Sequence, residues 1–437
     1  MIDVREREPL LPRRGARRAL PLIDSGTRRE HTSGAPHVMN RFTLTRCAAP
    51  LAGTAALALL ALGACTDTTA TSFDATPSAA ADTRLASAEQ SADVGAVFVT
   101  TNDAEHNAVV AFARAADGAL AYRATVVTGG AGIGGTIDPL ASQSALALSR
   151  DAHRLYVVNA GSGSITTFAV SGADLTWLGT TASGGTQPVS VAVDEHHLFV
   201  LNAGSNEIAE FSLNGEGVPA ASPVATAQLG TPASGASTIG VAPDGRYVVV
   251  TERAANAVDV FAIGEDGTLS APVTTPSSGS TPFGFAFTPR SQLVVSEAAG
   301  DAPNGAASSY RFTHDGELAL VSGSVSTNQA ATCWLVVTES GRFAFAVNSA
   351  SGSISAFEVS ADASLRLLDE SGQTGLSGDG AAPIDLGLSR GGRFLYVLEA
   401  GTGTIGAFAV SQDGHLASLP DTPGLTAASG LQGLAAY

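Results

Sequence analysis

The feature that most constrains this chain is a hairpin that recurs along it. Gly341 to Phe357 reads Gly-Arg-Phe-Ala-Phe-Ala-Val-Asn348, then Ser-Ala-Ser-Gly, then Ser-Ile354-Ser-Ala-Phe357. Alternating apolar positions on both sides of a small-residue turn mark two antiparallel strands. The unit returns with its last aromatic at Phe112, Phe168, Phe211, Phe261, Phe312 and Phe408, a period of about 49 residues. A lone hairpin leaves one face wet and both edges unpaired, so units of this kind are stable only when stacked.

Two further strands complete each unit. Ahead of the hairpin stands a run of small and apolar residues, as in Ser144-Ala-Leu-Ala-Leu148, Pro188-Val-Ser-Val-Ala-Val193 and Pro383-Ile-Asp-Leu-Gly-Leu388. Behind it, Asp-Gly turns at Gly267, Gly316 and Gly414 lead to an outer strand. Seven four-stranded antiparallel units predict an all-β fold, a seven-bladed β-propeller over residues 93–437. The first unit lacks its inner strand, whereas Leu431-Gln-Gly-Leu-Ala-Ala436 is an inner strand with no hairpin after it. The C-terminal strand is therefore expected to pair into the first blade. A two-sheet sandwich gives no reason for seven like units plus an orphan strand.

The start of the chain differs. Residues 1–38 are rich in Arg and Pro and read as a mis-assigned start or a disordered basic tail; Met39 then opens a complete signal start. An apolar stretch within 39–64 ends in Leu62-Gly63-Ala64-Cys65, which resembles the lipobox of bacterial lipoproteins and implies lipidation of Cys65. The other reading is an ordinary secretory signal cut nearby. Residues 65–92, rich in Ala, Ser, Thr and Asp, form an expected tether. The expected location is the cell envelope or the exterior, with membrane attachment only through the lipid.

After Cys65 the sequence carries 13 Arg, no Lys and 35 Asp plus Glu, more acidic than the whole-chain charge of −17. Such a surface repels nucleic acid and anionic membrane. Cys333 is the one thiol left in the folded part, which excludes an intramolecular disulfide and cysteine zinc sites. Its neighbour Trp334 suggests core packing. The sequence holds no P-loop, GxSxG or HExxH motif, and the GxGxxG at Gly130, Gly132 and Gly135 precedes no helix.

Aligning the ends of the second strands yields one polar residue per blade: Asn102, Asn159, Asn202, Glu252, Glu297, Asn348 and Glu399. All belong to one rim. They can serve as a binding ring for a cation such as Ca²⁺, or they can tie loop backbone groups. Asp103, Glu105, His106, Asp138, Asp301 and Asp379 are expected to reach the same rim.

The run Tyr156-Val-Val-Asn159-Ala-Gly-Ser-Gly-Ser-Ile165, echoed at Asn348–Ile354 and Glu399–Ile405, resembles the lactonase family of seven-bladed propellers. That family includes the 6-phosphogluconolactonases and carboxymuconate cyclases of propeller type. The resemblance implies a site on one ring face, with a Glu at a second-strand end and Arg and His at the starts of inner strands. Glu252 falls where the family Glu falls, but Ala236-Ser237-Thr238 stands where the Arg-His pair would be, and a later family Arg falls near Cys333. Two readings follow. One is a lactone-acting hydrolase or cyclase needing no cofactor, with Glu252 as acid/base and Arg253 as electrophile. The other is a monomeric, non-catalytic envelope module whose acidic rim takes a cation, a glycan or a protein.

Overall fold

The structure, a computed structural model, describes residues 95–299 and 304–437. The expected tail, signal and tether segments, with Met39 and Cys65, lie outside the described residues, as does Asp301.

Seven antiparallel sheets follow one another, each with an inner, second, third and outer strand. Blade 4 shows the plan: Ala236–Val241, Tyr247–Glu252, Ala257–Ala262 and Val273–Pro276. In blade 1 the inner strand is Gln432–Ala436, followed by Gly95–Thr100, Ala108–Arg114 and Leu120–Val127. The closing strand pairs antiparallel with Gly95–Thr100, Val97 facing Ala436 and Val99 facing Leu434. The ring is thus shut as the orphan strand predicts. Blade 6 adds a short strand, Gly375–Leu376, beside its third strand.

Burial follows the blades radially. Second strands such as Tyr247–Glu252 and Phe343–Asn348 are buried throughout, because sheets cover them on both sides. Outer strands alternate half-buried and exposed. Phe112, Phe168, Phe211, Phe261, Phe357 and Phe408 are buried between neighbouring sheets. Each contributes roughly 1.5–3 kcal/mol. The fifth blade departs from the expectation. Its register sets Tyr310 opposite Leu293, so Tyr310 takes the buried place and Phe312 instead stacks on Tyr247 of blade 4 at 4.5 Å.

The Asp-Gly turns also join blades. A Cβ on Gly118 of blade 1 would lie 2.5 Å from the Phe394 ring of blade 7, and one on Gly414 of blade 7 would lie 2.5 Å from Phe343 of blade 6. Both glycines have positive φ, so the turn backbone rests directly on the neighbour's aromatic. Tyr396 Oη donates to Gly118 O at 2.8 Å, and Tyr156 Oη to Gly217 O at 2.7 Å.

The inner strand expected at Ser144–Leu148 shortens to Leu146–Leu148. The chain before it turns into the axis. Gln143, on the approach to blade 2, donates from Nε2 to Leu335 O of blade 6 at 2.9 Å and accepts from Leu335 N at 3.0 Å. Trp334 Nε1 returns a bond to Ser142 O at 2.9 Å. Blades 2 and 6 are not neighbours, so these bonds cross the middle of the ring. Ser190 Oγ of blade 3 donates to Gln143 O, Gln432 Nε2 of blade 1 to Ser142 O, and Gln143 N to Ser237 O of blade 4. Gly284 of blade 5 completes the plug: a Cβ there would meet Gln143 Oε1 at 2.1 Å.

Candidate functional site

Six of the seven aligned residues end second strands, Asn102 lies two residues past Gly95–Thr100, and all seven are buried. Their side chains are largely taken by the loops that arrive from the preceding blade. Asn102 Nδ2 donates to Gly430 O at 3.2 Å and its Oδ1 accepts from Ile133 N at 3.1 Å. Asn159 Oδ1 accepts from Thr128 Oγ1 at 2.6 Å, while its Nδ2 donates to Thr166 Oγ1 at 3.0 Å. Asn348 repeats that pattern with Thr332 Oγ1 at 2.6 Å and Ser355 Oγ at 2.8 Å. Asn202 Nδ2 donates to Ser183 O at 2.9 Å. Glu297 accepts from Gly279 N at 2.8 Å and from Ser308 Oγ, and Glu399 accepts from Thr404 Oγ1 at 2.6 Å. Burial raises the Glu399 carboxyl above the ordinary carboxylate range. A side chain committed in this way fastens a loop and offers little to a ligand.

Glu105 and His106 are exposed instead, on a turn whose amides both donate to Asp103 Oδ1. They border an off-axis pocket of about 370 Å³ with Val127, Gly130, Ala131 and Ser162.

Glu252 and Arg253 part company. Glu252 is the last residue of its strand, and Arg253 is the first of the turn that follows. Glu252 has no exposed surface. It faces Asp259 on the third strand and Ser234 and Thr231 on the loop above, and neither of its oxygens makes a hydrogen bond of normal geometry. Burial first, then the charge of Asp259, pushes its carboxyl up to about 7. Asp259 itself is held by Gly230 N at 2.6 Å and Thr274 Oγ1 at 2.6 Å.

Arg253 turns to the axial mouth. Its guanidinium lies over the Phe283 ring, 5.7 Å from the centroid, and its charge is felt by both Asp138 and Cys333. Its Nε is buried without a hydrogen-bond partner. Asp138, half-buried on the long approach to blade 2, accepts from Gln432 Nε2 at 3.0 Å. Burial pushes Asp138 up to about 7 against the opposing pulls of Gln432 and Arg253. Deeper in, Asp385 accepts from Leu386 N at 2.8 Å and Leu434 N at 3.0 Å, and burial with the nearby Asp138 charge holds it near 7 as well. Cys333 is buried and burial pushes its thiol up, in keeping with core packing.

The charge of Arg253 reaches Asp138 without an ion pair within 4.0 Å, whereas Glu252 is governed by Asp259 instead. Gln143 and Asp385 were not singled out from the sequence. The available signals were a lone acid in an apolar inner strand and a loss of alternation between Pro139 and Gln143. Among the described residues no three His, Cys, Asp or Glu side chains converge as metal ligands.

Fold and rim define a seven-bladed propeller of four-stranded blades, closed by its last strand, with Arg253 and the half-buried Asp138 at the axial mouth. The family model for "Lactonase, 7-bladed beta-propeller" matches residues 97–233, 217–302 and 294–420, and the chain belongs to that family. No curated protein matches it in sequence. Similar solved structures include the periplasmic gluconolactonase of Pseudomonas aeruginosa, at 18% identity and TM-score 0.60, covering 77% of this chain and 98% of that one. A candidate 6-phosphogluconolactonase of Bacteroides uniformis is also 18% identical, with TM-score 0.60 and coverage of 78% and 99%. A Lactobacillus plantarum protein is 19% identical, with TM-score 0.59 and coverage of 78% and 99%. At these identities the likeness is one of fold.

Proposed function

We propose that this chain is a hydrolase of sugar lactones that works at the axial mouth of the ring. The observation that carries the reading is Arg253, with an unpartnered buried Nε–H, whose charge reaches Asp138, a carboxyl that burial pushes up to about 7. In this reading Arg253 donates to the lactone carbonyl oxygen, where negative charge develops. Asp138 takes a proton from water as the water oxygen bonds to the carbonyl carbon. The ring C–O bond then breaks and the departing oxygen receives that proton. Gluconolactonase and 6-phosphogluconolactonase chemistry among the proteins of like fold supports the substrate class.

The test is a lactone panel assayed at pH 6–8, with spontaneous hydrolysis subtracted. Asp138→Asn and Arg253→Gln should each lower kcat/KM about 10²-fold, while Glu252→Gln leaves it near wild type. Because a general base acts in its ionised form, wild-type kcat/KM should rise with pH through about 7. Full activity in Asp138→Asn would sink the assignment.

Export on a lipid anchor at Cys65 is part of the same proposal, supported by the lipobox-like Leu62–Cys65 and tested by radiolabelled palmitate incorporation that Cys65→Ser should abolish. A monomer is part of the same proposal, in keeping with outer strands that are short or irregular edges. Ca²⁺ at the rim is tested by the unfolding midpoint with and without the ion, which selective binding to the folded state should raise.

A further inference from the structure

Positive charge is distributed unevenly between the two faces of the ring. The described residues hold twelve arginines, in a chain without lysine. Nine of these open or close strands on the face opposite the rim, and Arg123 and Arg366 lie on outer strands. The repeat itself sets this pattern, since Gly-Arg leads into second strands at Gly245-Arg246, Gly341-Arg342 and Gly392-Arg393. Among the described residues, Arg253 is the one arginine that follows a second strand and so stands at the rim. The one imidazole there is His106, exposed beside Asp103.

Acids occupy the same face. Asp103, Glu105 and Asp379 are exposed on rim loops, Asp138 is half-buried at the axial mouth, and Asp385 is buried deeper in. The uncharged donors around the axis are already engaged: Trp334 Nε1 by Ser142 O, Gln143 Nε2 by Leu335 O, and Gln432 Nε2 by Asp138 and Ser142 O. Under the Arg253 guanidinium lies the Phe283 ring, itself packed on Trp334 at 4.9 Å, and neither ring face supplies a donor for an anion.

We propose that the axial site takes an uncharged sugar lactone and excludes one that carries a phosphate. This rests on the lactone reading above and narrows it. In a sugar lactone phosphorylated on its terminal carbon, the phosphate lies across the ring from the carbonyl. The guanidinium that holds the carbonyl oxygen cannot also neutralise that group. Above about pH 6 the phosphate is a dianion, and the other charges around the mouth are carboxylates, in a molecule of net charge −17. Repulsion of this kind slows encounter and opposes binding. An uncharged polyol meets none of it, and its hydroxyls can donate to the carboxylates.

The test compares gluconolactone with its 6-phosphate at neutral pH, in low and in high salt, with spontaneous hydrolysis subtracted. At low salt kcat/KM should be about 10²-fold higher for the uncharged lactone, and the ratio should narrow as salt screens the repulsion. An equal or higher kcat/KM for the phosphate ester would overturn the selection and leave lactone hydrolysis standing, and a ratio unmoved by salt would overturn charge as its cause. Turnover of neither compound would dismiss the hydrolase reading, so binding is read separately by calorimetry with gluconolactam, which resists hydrolysis, and its 6-phosphate. Uptake of the uncharged lactam alone is expected. Equal or tighter uptake of the phosphate, or uptake of neither, would overturn the inference.

Discussion

At Glu252 the chain keeps a carboxyl where water does not reach and a second acid, Asp259, faces it. The folded state favours the protonated form, with a pKa of about 7 against an ordinary 4.5. The folded protein thus binds more protons than the unfolded chain between those values, and stability falls as pH rises through that window. Glu252→Gln removes this ionisation. The variant should match wild type near pH 5 and exceed it at pH 8 by about 2 kcal/mol, as read from urea unfolding at the two pH values. An unchanged difference between the two pH values would show that Glu252 is ionised in both states. The sequence points to this residue as acid/base by its alignment, and alignment along a strand does not reveal which side of the sheet a side chain enters. Arg253, one residue on, has left the strand for a turn and faces elsewhere. Asp138, whose carboxyl feels that charge, comes from a loop more than a hundred residues earlier, a distance that no local pattern spans.

Among the elements, the hairpins were the most legible, because period-two alternation and Asp-Gly turns act within a dozen residues. What those turns do was not legible. Gly118 is read locally as a turn residue, yet its backbone lies against Phe394 of a different blade. Its φ of +91° already disfavours a side chain, and the ring leaves no room for one. Gly118→Val should therefore cost about 2–4 kcal/mol, more than strain in an isolated turn would explain. Double-mutant analysis with Phe394→Ala checks it: relief of the cost in the smaller background is expected, and strict additivity would refute the contact. The tie between Tyr310 and Leu293 shows a limit of the repeat itself. Counting aromatics selected Phe312, but pairing of Leu293 with Tyr310 sets the register.

For the whole molecule, repetition made the architecture readable well before any site. Seven like units and one unmatched strand leave few ways to arrange the chain, and pairing of Val97–Thr100 with Gln432–Ala436 is the outcome. Removing residues 431–437 bares the edge of Gly95–Thr100 and withdraws Leu434 from its place against Gly387 of blade 7. The truncated chain should lose its single cooperative transition and become sensitive to protease, and a synthetic peptide of residues 428–437 should restore protection. Wild-type protection without the peptide would mean that the seam is held by other contacts. The polar ring was equally easy to locate and harder to interpret, since its burial depends on loops delivered by neighbouring blades.

The knot of hydrogen bonds at Ser142 and Gln143 has a kinetic corollary. Because it bridges the ring from side to side, the centre is a blind recess and not a conduit. Whatever settles beside Arg253 has to back out the way it came in. On the proposed lactone hydrolysis, a hydroxy acid released there would stand in the path of the next lactone, so accumulating product should slow turnover by competing for the same opening.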